Sequence, residues 1–383
     1  MPEIIYFIDD KLGGVSSLNY NLIKNAPQGI TQTVILIDEK ESVMSRSGID
    51  YPVKKQMLFK YSAIENLYCI LKRLRKKLPA HEAALILNYG TEMAMLDYFP
   101  VRQTTYQLVH DHYNVKLAEK YGHIVDVFIC HNRHVESDLQ KLFPLRKKDI
   151  FYLPHGVNIP EKYRKSEKVS AAPLKLLFLG RMSQSKGVYD LPIIAEMLRS
   201  KNIDVEWTCI GSGPELENFK KKWNSEDKVL FISPSTYEEV IDIAASHDVF
   251  VLPTKFEGSP VSLLETMSVG LVPVITSLPG GIEEIVNKEI GFSLPIDDNM
   301  SFANAIIDLH FDRTKLNRLS ENCRNKIISE FNVIDTSKKY FNLFLDFKLY
   351  KKVKVLKRQK TGSRLDYPFI PNLLTRIIRS IAH

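Results

Sequence analysis

Short apolar runs alternate with stretches of helical periodicity along most of this chain. EIIYFID (3–9), TVILID, ALILNYG, TTYQLVH, VDVFIC and DIFYLP occur in the first half, and LKLLFLG, VEWTCIG, KVLFIS, DVFVLPT, VPVITS and IGFSLP after residue 173. Runs of four to seven β-branched and aromatic residues suit strands buried on both faces, and helical stretches between them make the sheets parallel. The alternation breaks over the polar stretch PEKYRKSEKVSAAP at 160–173 and then restarts. The pattern predicts two α/β domains, at 1–158 and 174–330, joined by a linker at 159–173. Beyond 330 the periodicity is helical, and 331–383 is read as C-terminal helices with a basic amphipathic tail.

Length agrees with this division, because 383 residues exceed what one hydrophobic core commonly supports. Apolar residues make up 44% and charged residues 25%, which places the chain among ordinary globular proteins. Cys69, Cys130, Cys209 and Cys323 show neither C-x-x-C nor metal-ligand spacing, which favours a reducing, cytoplasmic setting. The N-terminus is unlike a secretory signal, and no apolar run approaches 18 residues. The net charge of +7 is concentrated in KRLRKK (72–77) and KLYKKVKVLKRQK (348–360). Such clusters point to an anionic partner, and without interleaved aromatics on a recognised module they point away from nucleic acid.

In open parallel sheets ligands bind beyond the carboxyl ends of the strands, so candidate chemistry is sought in the loops there. The richest is FEGSPVSLLETMSVG (256–270), which follows the DVFVLPT strand. Ser259 as N-cap and Pro260 at the first helical position start a helix that Gly270 ends, leaving Glu257 in the loop and Glu265 inside the helix. Two carboxylates flanking free backbone N–H groups suit the two ends of a phosphate-bearing ligand. Alone, an E-x7-E spacing is weak, and a loop acid with a helix-surface acid is the commoner explanation.

Other loops add to it. Gly13 and Gly14 follow the first strand and permit close backbone approach, although a plain turn would use them too. Arg181 and Lys186 follow LKLLFLG and offer a planar fork and a point charge for a diphosphate, or are two solvated cations. Gly211-Ser212-Gly213-Pro214-Glu215 lacks the third glycine of the dinucleotide fingerprint, which disfavours a nicotinamide site, and Walker spacing is absent. Leu278-Pro279-Gly280-Gly281-Ile282 leads into the helical EEIV. His110 ends the TTYQLV strand, where an imidazole can donate to a sugar hydroxyl. With His112, His131 and His134 it raises a metal site as a rival, but no carboxylate motif completes one.

Taken in order, Gly13-Gly14, PHGVN (154–158), LGRMSQSKG (179–187), GSGPE (211–215), FEGSPVSLLETMSVG and PGGIEEIV (279–286) resemble the GT-B fold and, more closely, family 4 of the retaining glycosyltransferases. The resemblance covers nearly the whole chain and is more specific in the second half. It implies two Rossmann-like domains facing a central cleft, and transfer of a hexosyl unit from a nucleotide-diphosphate sugar to a glycan or lipid-linked glycan in surface polysaccharide synthesis.

By the same resemblance, Arg181 and Lys186 bind the donor diphosphate and Glu265 the ribose hydroxyls. Glu257, Gly258, Ser259, Pro260 and Val261 face the sugar and phosphates, with Gly211 in the same donor site. Gly13 and Gly14 approach from the other domain, and His110 reaches the donor sugar. Glu257, His110, Arg181 and Lys186 are the expected catalytic set. Where the family usually has Asn before the glycine of PHGVN this chain has His155, and Asn158 replaces the usual Asp. No metal and no cofactor is expected, the nucleotide sugar being a substrate. The alternatives are a nucleotide-sugar epimerase of the same fold and a non-catalytic nucleotide-binding assembly protein.

At the C-terminus Leu373, Leu374, Ile377, Ile378 and Ile381 share one helical stripe, with Arg376 and Arg379 toward the other side. The stripe fits an interfacial anchor or a helix packed on the protein equally well. With 72–77 and 348–381 as an anionic-membrane surface, the expected location is cytoplasmic, peripheral on the inner face of the membrane.

Overall fold

The computed structural model describes all residues except 12, 41–47, 164–171, 234–235, 259, 360–361 and 383. The chain forms two compact units, one from Met1–Pro154 with Asp335–His383 and the other from His155–Ile334.

Unit 1 is built on seven parallel strands: β1 (Glu3–Asp9), β2 (Thr31–Glu39), β3 (Lys55–Tyr61), β4 (Ala84–Leu87), β5 (Thr104–Val109), β6 (Val127–Cys130) and β7 (Ile150–Tyr152), in the order β3-β2-β1-β4-β5-β6-β7. Between them run α1 (Gly14–Lys24), α2 (Leu67–Arg75), α3 (Gly90–Tyr98), α4 (His112–Tyr121) and α5 (Arg133–Leu142). Strand β1 shows why its sequence is continuously apolar. Ile5 and Phe7 enter one core while Ile4, Tyr6 and Ile8 enter another, so both faces of the sheet are covered.

Unit 2 has six parallel strands: β8 (Leu174–Leu179), β9 (Val205–Ile210), β10 (Val229–Ile232), β11 (Val249–Leu252), β12 (Val272–Thr276) and β13 (Phe292–Leu294), in the order β10-β9-β8-β11-β12-β13. Its helices are α6 (Asp190–Ser200), α7 (Leu216–Lys220), α8 (Tyr237–Ala244), α9 (Val261–Ser268), α10 (Gly281–Ile285), α11 (Asn299–Phe311) and α12 (Arg313–Glu330). All twelve apolar runs picked out in the sequence form strands. The unread strand is β3, a polar sheet edge where only Phe59 of KQMLFKY is buried. Lysines on an edge suppress pairing with other chains and also erase the hydrophobic signal.

The C-terminal helices α13 (Val333–Leu345), α14 (Phe347–Tyr350) and α15 (Asn372–Ala382) complete the chain. From α13 and α14, Tyr340, Phe341, Phe344 and Phe347 enter the core on one face of the unit 1 sheet. Tyr106 of β5 locks them there, its ring edge-on to Phe344 and its hydroxyl donating to the Leu343 carbonyl at 2.7 Å. The basic run that follows is partly internal to unit 1. Lys351 pairs with Glu82 at 2.5 Å, Lys352 with Asp149, and the largely buried Lys354 with Asp126 at 2.7 Å.

Candidate functional site

Each strand order reverses direction once, between β1 and β4 in unit 1 and between β8 and β11 in unit 2. Outside the carboxyl ends of such neighbours lies the crevice where open α/β sheets bind ligands. In unit 2 the loops at this point carry Arg181 and Lys186, after β8, and Glu257, after β11.

Glycines bring these loops together. Gly187 takes a left-handed conformation (φ 68°), and a Cβ there would lie 1.9 Å from the Pro253 carbonyl oxygen. This approach lets the Ser185 carbonyl accept from the Lys255 N–H (2.8 Å) and the Thr254 hydroxyl (3.1 Å). Lys186 is thereby carried to Glu257, and the two side chains form a tight, largely buried ion pair. Burial pushes the Glu257 carboxyl above its ordinary range, against the opposing pull of Lys186. Gly211 serves the same purpose one loop away, since a Cβ there would lie 2.0 Å from the Gly180 carbonyl oxygen. Beside it Met182 N–H donates to the Ser212 carbonyl, and Tyr189 donates to Glu215. Gly187→Ala should therefore lower conformational stability by about 1–3 kcal/mol through overlap and strain, read as a shifted urea midpoint; an unchanged midpoint would show that the loop relaxes freely.

Helix α9 begins one residue later than the sequence suggested. Pro260 itself is the cap residue, with extended backbone and no side-chain cap bond, and Ser259 lies outside the described residues. The first turn, Val261 onward, holds no acid, so its N–H groups and positive dipole end are available to an anion. Gly270 ends the helix as expected: at φ 89° it donates to Met267 O while Leu271 N–H reaches Thr266 O, a Schellman closure. The Gly258 carbonyl accepts from Gly281 N–H at 3.2 Å, which ties the Pro279-Gly280-Gly281 loop to the same site. Glu265, about 6 Å along the helix axis from Val261, is only 7% exposed, and burial raises its pKa to about 7. Tyr237, at the start of α8, lies beside it and Asn158.

In unit 1 the loop after β1 leads through Gly13, the cap residue of α1, into Gly14. A Cβ at Gly13 would meet nothing within 4 Å, so packing inside unit 1 does not require glycine there. Asp9 pairs with Lys11 at 3.5 Å, and burial raises its pKa to about 6. Across the crevice Asn88 follows β4. Its amide donates to the Phe7 carbonyl (2.7 Å), and its oxygen receives His110 Nε2 at 3.0 Å. The proton of His110 is thus on Nε2, and burial followed by the neighbouring His131 holds the ring neutral, well below the usual histidine range.

His131 stacks on His110 with ring centroids 4.8 Å apart, its Nδ1 near both the Leu153 carbonyl (2.9 Å) and the Tyr340 hydroxyl (3.0 Å). These are two neutral imidazoles, the form a metal ion takes, and each commits one ring nitrogen to protein. His112 and His134 stand apart from them: both are exposed, and His134 lies 3.5 Å from Asp138 on α5. Glu92 was not legible in the sequence. It accepts the Asn88 and Tyr89 N–H groups at 2.8 and 2.5 Å, and burial raises its pKa to about 8. The available signal for Asn88 and Glu92 was their place just after a strand, shared with many ordinary turn residues.

Residues 160–326 match the family described as glycosyl transferases group 1. Among curated proteins, the chain is 28% identical over 237 residues to the Escherichia coli UDP-Gal:alpha-D-GlcNAc-diphosphoundecaprenol alpha-1,3-galactosyltransferase, spanning 57% of this chain and 59% of that protein. It is 27% identical to the putative colanic acid biosynthesis glycosyltransferase WcaL of Escherichia coli K12, over 51% and 50% of the two chains. The chain thus spans about half the length of the first curated relatives it matches. Among solved structures, HepE of Anabaena in complex with UDP and glucose superposes with a TM-score of 0.72 at 15% identity, covering 90% of this chain and all of the other. Sucrose-phosphate synthase of Thermosynechococcus elongatus gives 0.71 at 16%, covering 91% of this chain. The chain has the GT-B fold, and its residues 160–326 match the glycosyl transferases group 1 family.

Proposed function

We propose that this protein transfers a hexosyl unit, with retention at the anomeric carbon, from a nucleotide-diphosphate sugar to a glycan or lipid-linked glycan acceptor in surface polysaccharide synthesis. The observation that carries this reading is the Lys186–Glu257 pair beside the start of α9, at the reversal point of the unit 2 sheet. Lys186, Arg181 and the α9 N-terminus together set three sources of positive potential where a leaving diphosphate develops charge. Glu257 positions the sugar and Lys186, and Glu265 holds the ribose hydroxyls. The acceptor attacks from the face the phosphate leaves, and its proton passes to the departing phosphate oxygen. The names of the relatives, a transferase to a diphosphoundecaprenol-linked sugar and a colanic acid glycosyltransferase, support the acceptor class.

The charge on these residues supports a metal-independent reaction. The test is a thermal-shift panel of UDP, GDP and ADP sugars, followed by transfer assays with and without EDTA. A ligand at 100 times its dissociation constant stabilises by about 2.7 kcal/mol. One nucleotide series should shift the melting point, and EDTA should leave transfer intact. Rescue of an EDTA-inhibited enzyme by added divalent ion would overturn metal independence, and isomerised donor formed without any acceptor would replace transfer by epimerisation.

A further inference from the structure

Helix α15 is attached to unit 1 by its polar side. Thr375 is fully buried and donates to the Leu365 carbonyl at 3.0 Å. One turn on, Arg379 donates to the Glu65 carbonyl (2.6 Å), to the Ala63 carbonyl (3.1 Å) and to Asp366 (2.7 Å). Asn372 accepts the Asn66 N–H at 2.8 Å, and the Asn66 amide donates to the carbonyls of Leu365, Tyr367 and Ile370. Asp366 also receives Leu67 N–H at 2.7 Å. Although burial alone would raise its pKa, these donors hold it below the ordinary carboxylate range. Residues 372, 375 and 379 form one stripe of the helix.

The opposite stripe, Leu374, Ile377, Ile378 and Ile381 at i, i+3, i+4 and i+7, is turned to solvent, with Ile381 81% and the adjoining Leu373 70% exposed. Phe369, 79% exposed, stacks on Tyr367 just before the helix. A globular protein normally buries the apolar side of such a helix and exposes the polar one. Here the arrangement is reversed, and a network of hydrogen bonds holds it so.

Beside this dock lies a basic groove. Between β3 and α2 a cavity of about 400 Å³ is lined by Leu58, Phe59, Lys60, Arg73, Lys76 and Lys77. Arg73 connects the two features, since it pairs with Glu65 at 2.9 Å, the residue whose carbonyl receives Arg379. The segment 66–80 contains no acid, and Asp366, the one acid in 361–383, is buried under Arg379. We propose that this face of unit 1 seats on an anionic lipid bilayer, with α15 lying in the interface and the β3–α2 groove receiving lipid phosphates. An apolar helix stripe flanked by cations matches the depth profile of such a surface, acyl chains below and negative headgroups around. A second copy fits less well, because a two-fold contact through α15 would set the same cations against themselves. Among the described residues no helix is long and apolar enough to cross a membrane.

The proposal rests on unit 1 alone and stands or falls separately from glycosyl transfer. Its test is flotation of the full chain with phosphatidylcholine vesicles, with and without phosphatidylglycerol, at low and high salt. Binding should require phosphatidylglycerol and weaken with salt. Lys76→Ala/Lys77→Ala should reduce partitioning about fivefold per lysine, and Ile377→Ser/Ile381→Ser about tenfold or more per isoleucine. All four side chains are exposed, so unchanged circular dichroism and melting are expected to accompany the loss. Failure of the native chain to float, or flotation unchanged in both variants, would overturn the proposal. A concentration-dependent dimer abolished by the isoleucine variant would assign the face to a second copy instead.

Discussion

Lys186→Ala is expected to weaken donor binding or turnover by about 10 to 150-fold, the equivalent of a charged hydrogen bond of roughly 1.5–3 kcal/mol. It is also expected to destabilise the free protein. Lys186 is the counter-charge of Glu257, a carboxylate already pushed up by burial, and removing one member of a buried pair leaves the other desolvated and unmatched. The two effects separate in a double-mutant cycle. Glu257→Gln should restore the melting temperature of Lys186→Ala, because a neutral amide needs no counter-charge, yet it should not restore donor binding. Isothermal titration with the nucleotide sugar and thermal melting of the four proteins measure both. Full donor affinity in Lys186→Ala would remove the diphosphate assignment, and a double variant no more stable than Lys186→Ala would remove the account of the pair.

Donor binding is also expected to strengthen as pH rises from about 6 to 8, and Glu265→Gln to abolish that dependence. Burial raises the Glu265 pKa to about 7, whereas an ordinary glutamate titrates near 4.5. Ribose hydroxyls donate to the ionised carboxylate, so below about pH 7 each unit of acidity should cost up to about tenfold in affinity. A nucleotide sugar is the right ligand, since its diphosphate is fully ionised across this range. A pH-independent dissociation constant in the native protein would disprove the role.

Stability should move the other way. Between about pH 4.5 and 7 the folded state holds a proton that the unfolded chain has released, so stability falls as pH rises through that window and levels off above it. The size is about 3 kcal/mol for Glu265, and Glu92, raised to about 8, extends the same trend upward. Glu265→Gln should therefore gain stability relative to the native chain at pH 8 and little at pH 5. The same carboxylate thus makes the empty protein less stable near neutrality while making it ready for a hydroxyl-bearing ligand.

The strands were legible because burial on both faces demands continuous apolar runs, and β3 was missed because an edge strand does not. The glycines were legible as loops, but not which of them packing requires. Gly187 and Gly211 are demanded by neighbouring carbonyl oxygens, while Gly13 faces open space. Ser259 and Pro260 read as cap and first residue, yet Pro260 takes the cap position because its extended backbone precedes the helix.

Local chemistry in the sequence determined that two parallel sheets form, that loops follow their strands, and that Arg181, Lys186, Glu257 and Glu265 lie in or just beyond those loops. Local chemistry acts through neighbours in the chain, and periodicity and turn residues report it. Only the tertiary structure decided that Lys186 grips Glu257 across 71 positions, that Glu265 is buried enough to titrate near neutrality, and that His110 is a neutral ring committed to Asn88. It also decided the tail: the same amphipathic sequence fits a packed helix or an anchor, and hydrogen bonds from Thr375 and Arg379, made to residues far along the chain and to the turn before the helix, choose which side faces out. Such contacts join distant segments through the sheet order, which no local pattern encodes.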